Sequence, residues 1–245
     1  MNAGRVRDVR KALVVSAAAL LLLCACGNAQ PTADLIPSLE KLAASNNPEA
    51  IYHIGMAYQT GAGLPKDPSK ALEEFRRAAS LGDVLASYKV GCYYDGQNEL
   101  LKPVPELALR YKLVAAKAGY ALAQQDVASL YASRNDMPRA LAWLGKATAQ
   151  GWSGALATSA SVYNGAPGVT PDKAKTAAYF QLFLERTDAS DEQRAWLKKF
   201  EHQMSPEERQ RSLEIVRSYR PAATPLTIKA LSGQRAALEL ISRIR

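Results

Sequence analysis

The sequence predicts an all-α fold, a right-handed solenoid of about four helix–turn–helix repeats with helices covering both ends. Three observations predict it. Small residues and tyrosines recur in register along the middle of the chain, a glycine follows the second helix of three repeats at a constant distance, and the differences in repeat length fall in one turn. Elements of constant length joined by a variable connection are typical of a repeat array.

The recurring columns are visible in the printed sequence. Each alanine of a first column is followed five residues later by a small residue and eight residues later by a tyrosine. The alanines are Ala50, Ala86, Ala123 and Ala155; the small residues are Gly55, Gly91, Ala128 and Ala160; the tyrosines are Tyr58, Tyr94, Tyr131 and Tyr163. Small residues on one helical face predict that paired helices approach closely.

A second set of columns predicts where each repeat ends. Ala71, Ala108 and Ala140 are each followed eleven residues later by a glycine: Gly82, Gly119 and Gly151. Glycine adopts the left-handed conformation that ends a helix at little cost. Each repeat is therefore expected to contain helix A, a variable turn, helix B and a tight glycine turn. In the first variable turn, Asp67 is positioned to cap helix B, with Pro68 at its first position.

The N-terminal residues predict export. A basic stretch precedes an uncharged apolar run of 14 residues, 12–25, which is followed by small residues. This is the anatomy of a signal peptide, and the run is shorter than the roughly 20 residues of a membrane-spanning helix. Without this leader the net charge of +8 falls to about +5, and charges of both signs alternate along the helices. We therefore expect no nucleic-acid partner.

The end of the leader resembles a bacterial lipobox, Leu23-Cys24-Ala25-Cys26. The resemblance implies cleavage before Cys26, a lipid on that cysteine, and membrane attachment through the lipid. Gly27, where an aspartate would favour the inner membrane, favours a periplasm-facing outer-membrane lipoprotein. The alternatives are an export signal cut after Ala29, inner-membrane retention or, if the leader is misread, a cytosolic scaffold.

The column pattern resembles Sel-one-like repeats, a variant of the tetratricopeptide helix pair. The first repeat, "AIYHIGMAYQTGAGLPKDPSKALEEFRRAASLGD", matches best, and the fourth lacks the closing alanines and glycine. The resemblance implies a helical solenoid that acts as a scaffold for interactions with other molecules. The expected organisation is a signal peptide (1–25), a linker and capping helix (26–47), four repeats within 48–186 (48–83, 84–120, 121–152 and 153–186), capping helices (187–220), and a loop with a final helix (221–245).

Residues able to carry chemistry are few. His53 and His202 are the only histidines, on different predicted helices, and we expect both to be exposed. Cys92 is expected to be a small hydrophobic residue inside a helix, and as the one non-leader cysteine apart from Cys26 it has no partner for an internal disulfide. We find no metal-binding, phosphate-binding or catalytic pattern. The prediction is a non-enzymatic protein without cofactor or metal.

The expected binding surface is the face of the A helices opposite the repeating columns. Its residues differ from repeat to repeat, whereas packing keeps the columns alike. The partner-binding candidates are Tyr52, Met56, Gln59, Tyr88, Cys92, Asp95, Gln125 and Ser129. In stacked helix pairs the A helices usually line the concave side. Solvated surface without a partner is the alternative.

The function predicted is a scaffold that binds a protein or peptide in the bacterial cell envelope; neither partner nor oligomeric state follows from the sequence. A first alternative is an immunity-type lipoprotein that neutralises a phospholipase effector of type VI secretion, because lipoproteins with similar repeats can have that role. A second alternative is an envelope hydrolase acting on cell-wall material.

Overall fold

A computed structural model of the chain describes residues 35–97 and 99–243; the predicted signal peptide and Cys26 lie outside the described residues. These residues form thirteen α-helices and no strand. The helices are α1 (Leu35–Ala44), α2 (Pro48–Thr60), α3 (Pro68–Ser80), α4 (Val84–Tyr94), α5 (Pro105–Lys117), α6 (Ala121–Ala132), α7 (Met137–Ala149), α8 (Ser153–Tyr163), α9 (Lys173–Leu184), α10 (Asp191–His202), α11 (Pro206–Ser218), α12 (Pro225–Ser232) and α13 (Gln234–Ser242).

Helices α2 to α9 form four successive pairs. Each A helix packs most extensively against the B helix that follows it, and each pair packs against the next one. This neighbour-to-neighbour contact is that of an α-solenoid of about four repeat units, as the sequence predicts.

The glycine turns between repeats share one geometry. Gly82, Gly119 and Gly151 have φ of 94°, 98° and 79°, in the left-handed region that favours glycine. The residue after each glycine donates its backbone N–H to a carbonyl five residues earlier, as Asp83 does to Ala78 at 2.9 Å. This bond satisfies a carbonyl that the end of helix B would leave without a partner.

A backbone hydrogen bond also closes the variable turns between helix A and helix B. The backbone N–H of Asp67 donates to the carbonyl of Tyr58 at 2.9 Å, and that of Asp172 donates to Tyr163 at 2.8 Å. The Asp67 carboxylate then caps α3 by accepting from the backbone of Ser69 and Lys70. The turn can therefore change length while its two ends stay in place.

The small residues of helix A lie where the two helices of a pair approach most closely. A Cβ added to Gly55 would lie 2.7 Å from the Phe75 ring, and one added to Gly91 would lie 2.7 Å from Cγ and 3.1 Å from the backbone nitrogen of Lys112. Neither Gly55 nor Gly91 has room for a methyl group, which explains why the residue five positions after each column alanine is small.

Helices α10 and α11 cover the last repeat by packing on α9. Both begin with a capping box, in which Ser190 pairs with Gln193 and Ser205 with Glu208. Leu184, Leu197 and Met204 form a small separate core there.

The chain after α11 differs from the expected loop and final helix. It forms two helices, α12 and α13, and it returns along the array to pack on α1 and α2 at the opposite end. On the way, Ala222 donates its backbone N–H to the Ala149 carbonyl, and the Thr227 hydroxyl lies 3.0 Å from the backbone nitrogen of Ala121, from which it accepts. Residues 219–243 are called the return segment below.

None of the helices described in 35–97 and 99–243 has the length and apolar character of a membrane-crossing helix.

The hydrogen bonds of Thr227 predict a measurable contribution of the return segment to stability. Thr227 is 2% exposed, and its hydroxyl lies within hydrogen-bond distance of the Ala121 N–H, the Gly119 carbonyl and the Gln150 side chain. Thr227→Val keeps the shape but leaves the backbone N–H of Ala121 without its acceptor, so the free energy of unfolding should fall by about 1–3 kcal/mol in urea denaturation. The exposed Thr170→Val is the control, with an expected change within about 0.5 kcal/mol. Equal losses in both variants would contradict this role.

Candidate functional site

The eight predicted partner-binding residues divide by exposure. Tyr52, Tyr88 and Cys92 are buried, at 9%, 5% and 5% exposed. The half-buried residues are Met56, Gln59, Asp95 and Gln125. Ser129 is exposed. The expectation of a solvent-facing surface is therefore wrong for the two tyrosines and the cysteine. Whether any of the eight binds a partner stays a prediction.

Aromatic packing explains the burial of the two tyrosines. The Tyr52 ring lies 6.0 Å from that of Phe75 and forms an edge-to-face pair with His53 at 5.1 Å. The Tyr88 ring forms an edge-to-face pair with Tyr120, the residue that precedes the next A helix. Tyr52 thus packs against helix B of its own repeat, whereas Tyr88 packs against the residue before the next helix A, so their lack of repetition reflects different local packing.

Two of the predicted residues, Tyr88 and Asp95, meet around a buried lysine that the sequence reading missed, together with Asp126. Lys112 on α5 is 0% exposed, and its Nζ donates to Asp95 Oδ2 at 2.5 Å and to Asp126 Oδ2 at 2.7 Å. The Tyr88 hydroxyl donates to the same Asp126 oxygen at 3.0 Å. We call Tyr88, Asp95, Lys112 and Asp126 the lysine–aspartate cluster. It joins α4, α5 and α6, and hence the second and third repeats.

The repeat alignment contains a signal for this lysine. Four residues after Ala71, Ala108 and Ala140 stand Phe75, Lys112 and Leu144. All three are buried, so Lys112 occupies a core position that is apolar in the neighbouring repeats. Reading this column as closely as the alanine column would have identified Lys112 as the exception.

The charges of the cluster sum to −1, with one lysine between two carboxylates. Burial opposes the charged form of Lys112, but the charges and hydrogen bonds of Asp126 and Asp95 outweigh it and raise the pKa of the ammonium group. Asp95 and Asp126 keep side-chain exposures of 29% and 20%. The cluster therefore presents excess negative charge to solvent.

Cys92 lies next to the cluster and is free. Burial raises the pKa of its thiol, and the nearby Lys112 charge only partly offsets this. A thiol with a raised pKa is a poor nucleophile at neutral pH. The expectation that Cys92 packs as a small hydrophobic residue fits its position.

The half-buried part of the predicted surface is rich in hydrogen-bond acceptors. Gln59 Oε1 and Gln125 Oε1 are buried and find no donor among the described residues. Among 35–97 and 99–243, no group of three His, Cys, Asp or Glu side chains is arranged to hold a metal ion.

The histidines do not share one environment. His202 is exposed, as expected, but His53 is 8% exposed and the expectation is wrong for it. The return segment explains the difference, because Lys229, Ala230 and Ala236 border the same cavity as His53.

The position of Lys112 predicts asymmetric effects of substitution. Lys112→Met leaves the two carboxylates without their cation, and the free energy of unfolding should fall by about 2–3 kcal/mol, because breaking a buried ion pair is costly. Lys112→Met combined with Asp95→Asn and Asp126→Asn should recover at least half of the loss. Lys117→Met removes an exposed lysine from the same helix and serves as the control. Chemical denaturation at pH 7 measures all three, and a triple variant less stable than Lys112→Met would contradict the electrostatic account.

Solved structures with similar folds include two repeat proteins. A Sel1 repeat protein from Oxalobacter formigenes is 29% identical, with a TM-score of 0.55, over 62% of this chain and 64% of that chain. A protective antigen of uropathogenic Escherichia coli with an SLR fold is 18% identical, with a TM-score of 0.50, over 89% of this chain and 52% of that chain. The matches thus span under two thirds of either relative, and the second shows the fold alone.

An immunity protein from Pseudomonas aeruginosa is 23% identical over 64% of this chain and 75% of that chain, with a TM-score of 0.35. At that score the likeness carries no argument, so the immunity alternative stays a prediction. No curated protein sequence matched this chain.

The family comparison agrees with the repeat columns and the helix pairs. The Sel1 repeat model matches residues 48–83, 84–120, 121–152 and 155–188, more than half of the chain. The chain belongs to the Sel1 repeat family.

Proposed function

We propose that this protein is an exported, lipid-anchored scaffold that binds a protein partner in the bacterial cell envelope. The observation that carries the proposal is the array of four Sel1 repeats, since such arrays usually mediate protein–protein binding. The envelope location and the lipid are supported by the signal-peptide pattern and the lipobox that ends in Cys26.

The geometry favours one part of the array as the contact surface. The return segment packs on α1 and α2, and Asp95, Gln125 and Ser129 lie on the middle repeats beyond those helices. This region carries the net negative charge of the lysine–aspartate cluster, whose two carboxylates are partly exposed. A partner that supplies an arginine or lysine side chain complements this charge.

The lipid anchor is tested by metabolic labelling. Full-length wild type, Cys26→Ser and Cys24→Ser are expressed in a Gram-negative host fed an alkyne-tagged palmitate. We expect label on wild type and Cys24→Ser and none on Cys26→Ser, because only the lipidated cysteine retains the acyl chains. Cys24→Ser is the matched control, since it changes the neighbouring cysteine alone. Label on Cys26→Ser equal to wild type, or none on any chain, would rule out the anchor at this residue.

The contact surface is tested by site-specific photocrosslinking in intact cells. A benzoylphenylalanine at Ser129 should give a discrete crosslinked species, and one at Arg110, which is exposed on α5, should not. Asp95→Asn should reduce the Ser129 crosslink several-fold, because it removes the negative charge that the partner's basic group meets. Glu106→Gln, an exposed acidic residue 78% accessible on α5, is the charge-matched control. Equal crosslinking from both positions, or no effect of Asp95→Asn, would refute this assignment.

A further inference from the structure

The charge of the chain is balanced along the array and one-sided after it. Residues 26–216 contain 21 basic and 21 acidic side chains, whereas residues 217–245 contain six basic side chains and one acidic one. The net charge that remains without the predicted leader is therefore concentrated in and beside the return segment. A local excess of one sign of charge attracts partners of the opposite sign.

Most of these basic side chains are open to solvent. The exposed ones are four arginines, Arg217, Arg220, Arg235 and Arg243. Among the described residues, the only acidic side chain within ion-pair distance of any of them is Glu239, at 3.9 Å from Arg243. Lys229 differs, because it pairs with Glu49. The planar guanidinium group of arginine matches the oxygen atoms of a phosphate group.

The outward face of α12 is apolar, although the helix lies at the surface of the protein. Thr227 is buried and bonds to the array, whereas Ile228 and Leu231 are 59% and 65% exposed. The other exposed large apolar side chains of the described residues are 36–45% exposed. Pro225, Ile228 and Leu231 follow one another at intervals of three residues, so they lie along one face of the helix. A surface helix usually presents polar side chains to water, and α12 departs from this pattern.

The apolar face and the arginines belong to the same part of the surface. Helices α12 and α13 are in contact, and only Gly233 separates them in the chain. On α13, Ala236 and Ala237 are buried and Arg235 is exposed, so Arg235 lies on the side away from the array. The return segment thus presents large apolar side chains next to arginines.

This combination is typical of a helix that lies on an anionic membrane. Apolar side chains enter the boundary between head groups and acyl chains, and basic side chains meet the lipid phosphates. A nucleic acid would explain the arginines but not the apolar face. A second copy of the chain would cover the apolar face but would bring the arginines of both copies together, and like charges repel.

We propose that the outward face of the return segment binds an anionic phospholipid surface, with Ile228 and Leu231 among the lipids and the exposed arginines on their phosphates. The contact goes beyond the lipid on Cys26, because it needs no acyl chain on the protein. It also orients the array. The return segment bonds to the glycine turns, so that edge faces the bilayer. Asp95 ends α4 at the opposite edge and stays open to a protein partner.

The proposal is tested with a chain of residues 27–245, which keeps the fold because residues 32–245 form one compact unit. Its sedimentation with vesicles of phosphatidylcholine and phosphatidylglycerol in equal parts is compared with that on phosphatidylcholine alone. We expect at least tenfold tighter binding to the anionic vesicles, weakening as salt screens the arginines. Equal binding to both vesicles, or none to either, would overturn the proposal. Since this chain lacks Cys26, the result does not depend on the proposed lipid anchor.

Two pairs of variants locate the contact. Ile228→Ser with Leu231→Ser should weaken binding to the anionic vesicles at least fivefold. Its control is Leu100→Ser with Val104→Ser, two exposed apolar residues in a variable turn at the opposite edge, with binding expected within twofold of wild type.

Arg235→Glu should weaken the same binding several-fold, whereas Arg110→Glu makes an equal charge change on the exposed side of α5 and should leave it within twofold. All of these side chains are exposed, so the variants are expected to fold. Unchanged vesicle binding in the Ile228 and Leu231 double variant would refute the assignment. A wild-type dimer that this double variant dissociates would overturn it in favour of a second copy.

Discussion

The close approach of the two helices in each repeat is the constraint on which the rest of this structure depends. At Gly91 a methyl group would lie 2.7 Å from the Lys112 side chain, and at Gly55 one would lie equally close to Phe75. Since neither helix can move away without opening the core, the position must stay small. The same spacing then recurs in each pair, and identical spacing is what allows successive pairs to stack.

This constraint also explains how a lysine is accommodated in the core. The missing side chain of Gly91 leaves room for the Lys112 methylenes to lie against α4, so that the ammonium group reaches Asp95 and Asp126. The neighbouring repeats fill the equivalent space with Phe75 and Leu144, which need no partners. Packing alone would favour an apolar residue at position 112, as in the neighbouring repeats. Positions where the residue type conflicts with its surroundings in this way concentrate at functional sites. The partly exposed carboxylates of Asp95 and Asp126 belong to the proposed contact surface.

The sequence predicted the features that depend on neighbouring residues. The columns are visible because each repeat has the same pattern, and the glycine turns and aspartate caps bond to backbone groups a few residues away in the chain. The burial of Tyr52, Tyr88 and His53 was not predicted, because it depends on contacts between repeats and with the return segment. Thr227, for example, meets Ala121 across 106 positions of the chain, and no local pattern marks that pairing.

The return segment runs along the array from the last repeat to the first helices. A solenoid leaves turn carbonyls and helix-start N–H groups along its edge, and here the segment pairs with the Gly119 carbonyl, the Ala121 N–H and the Ala149 carbonyl. These bonds direct α12 and α13 onto α1 and α2, where they complete the wall around His53. The carboxylates of Asp95 and Asp126, in the middle repeats, are partly open to solvent. Docking of one segment thus completes the cavity wall at the first repeat and satisfies turn groups of the middle repeats.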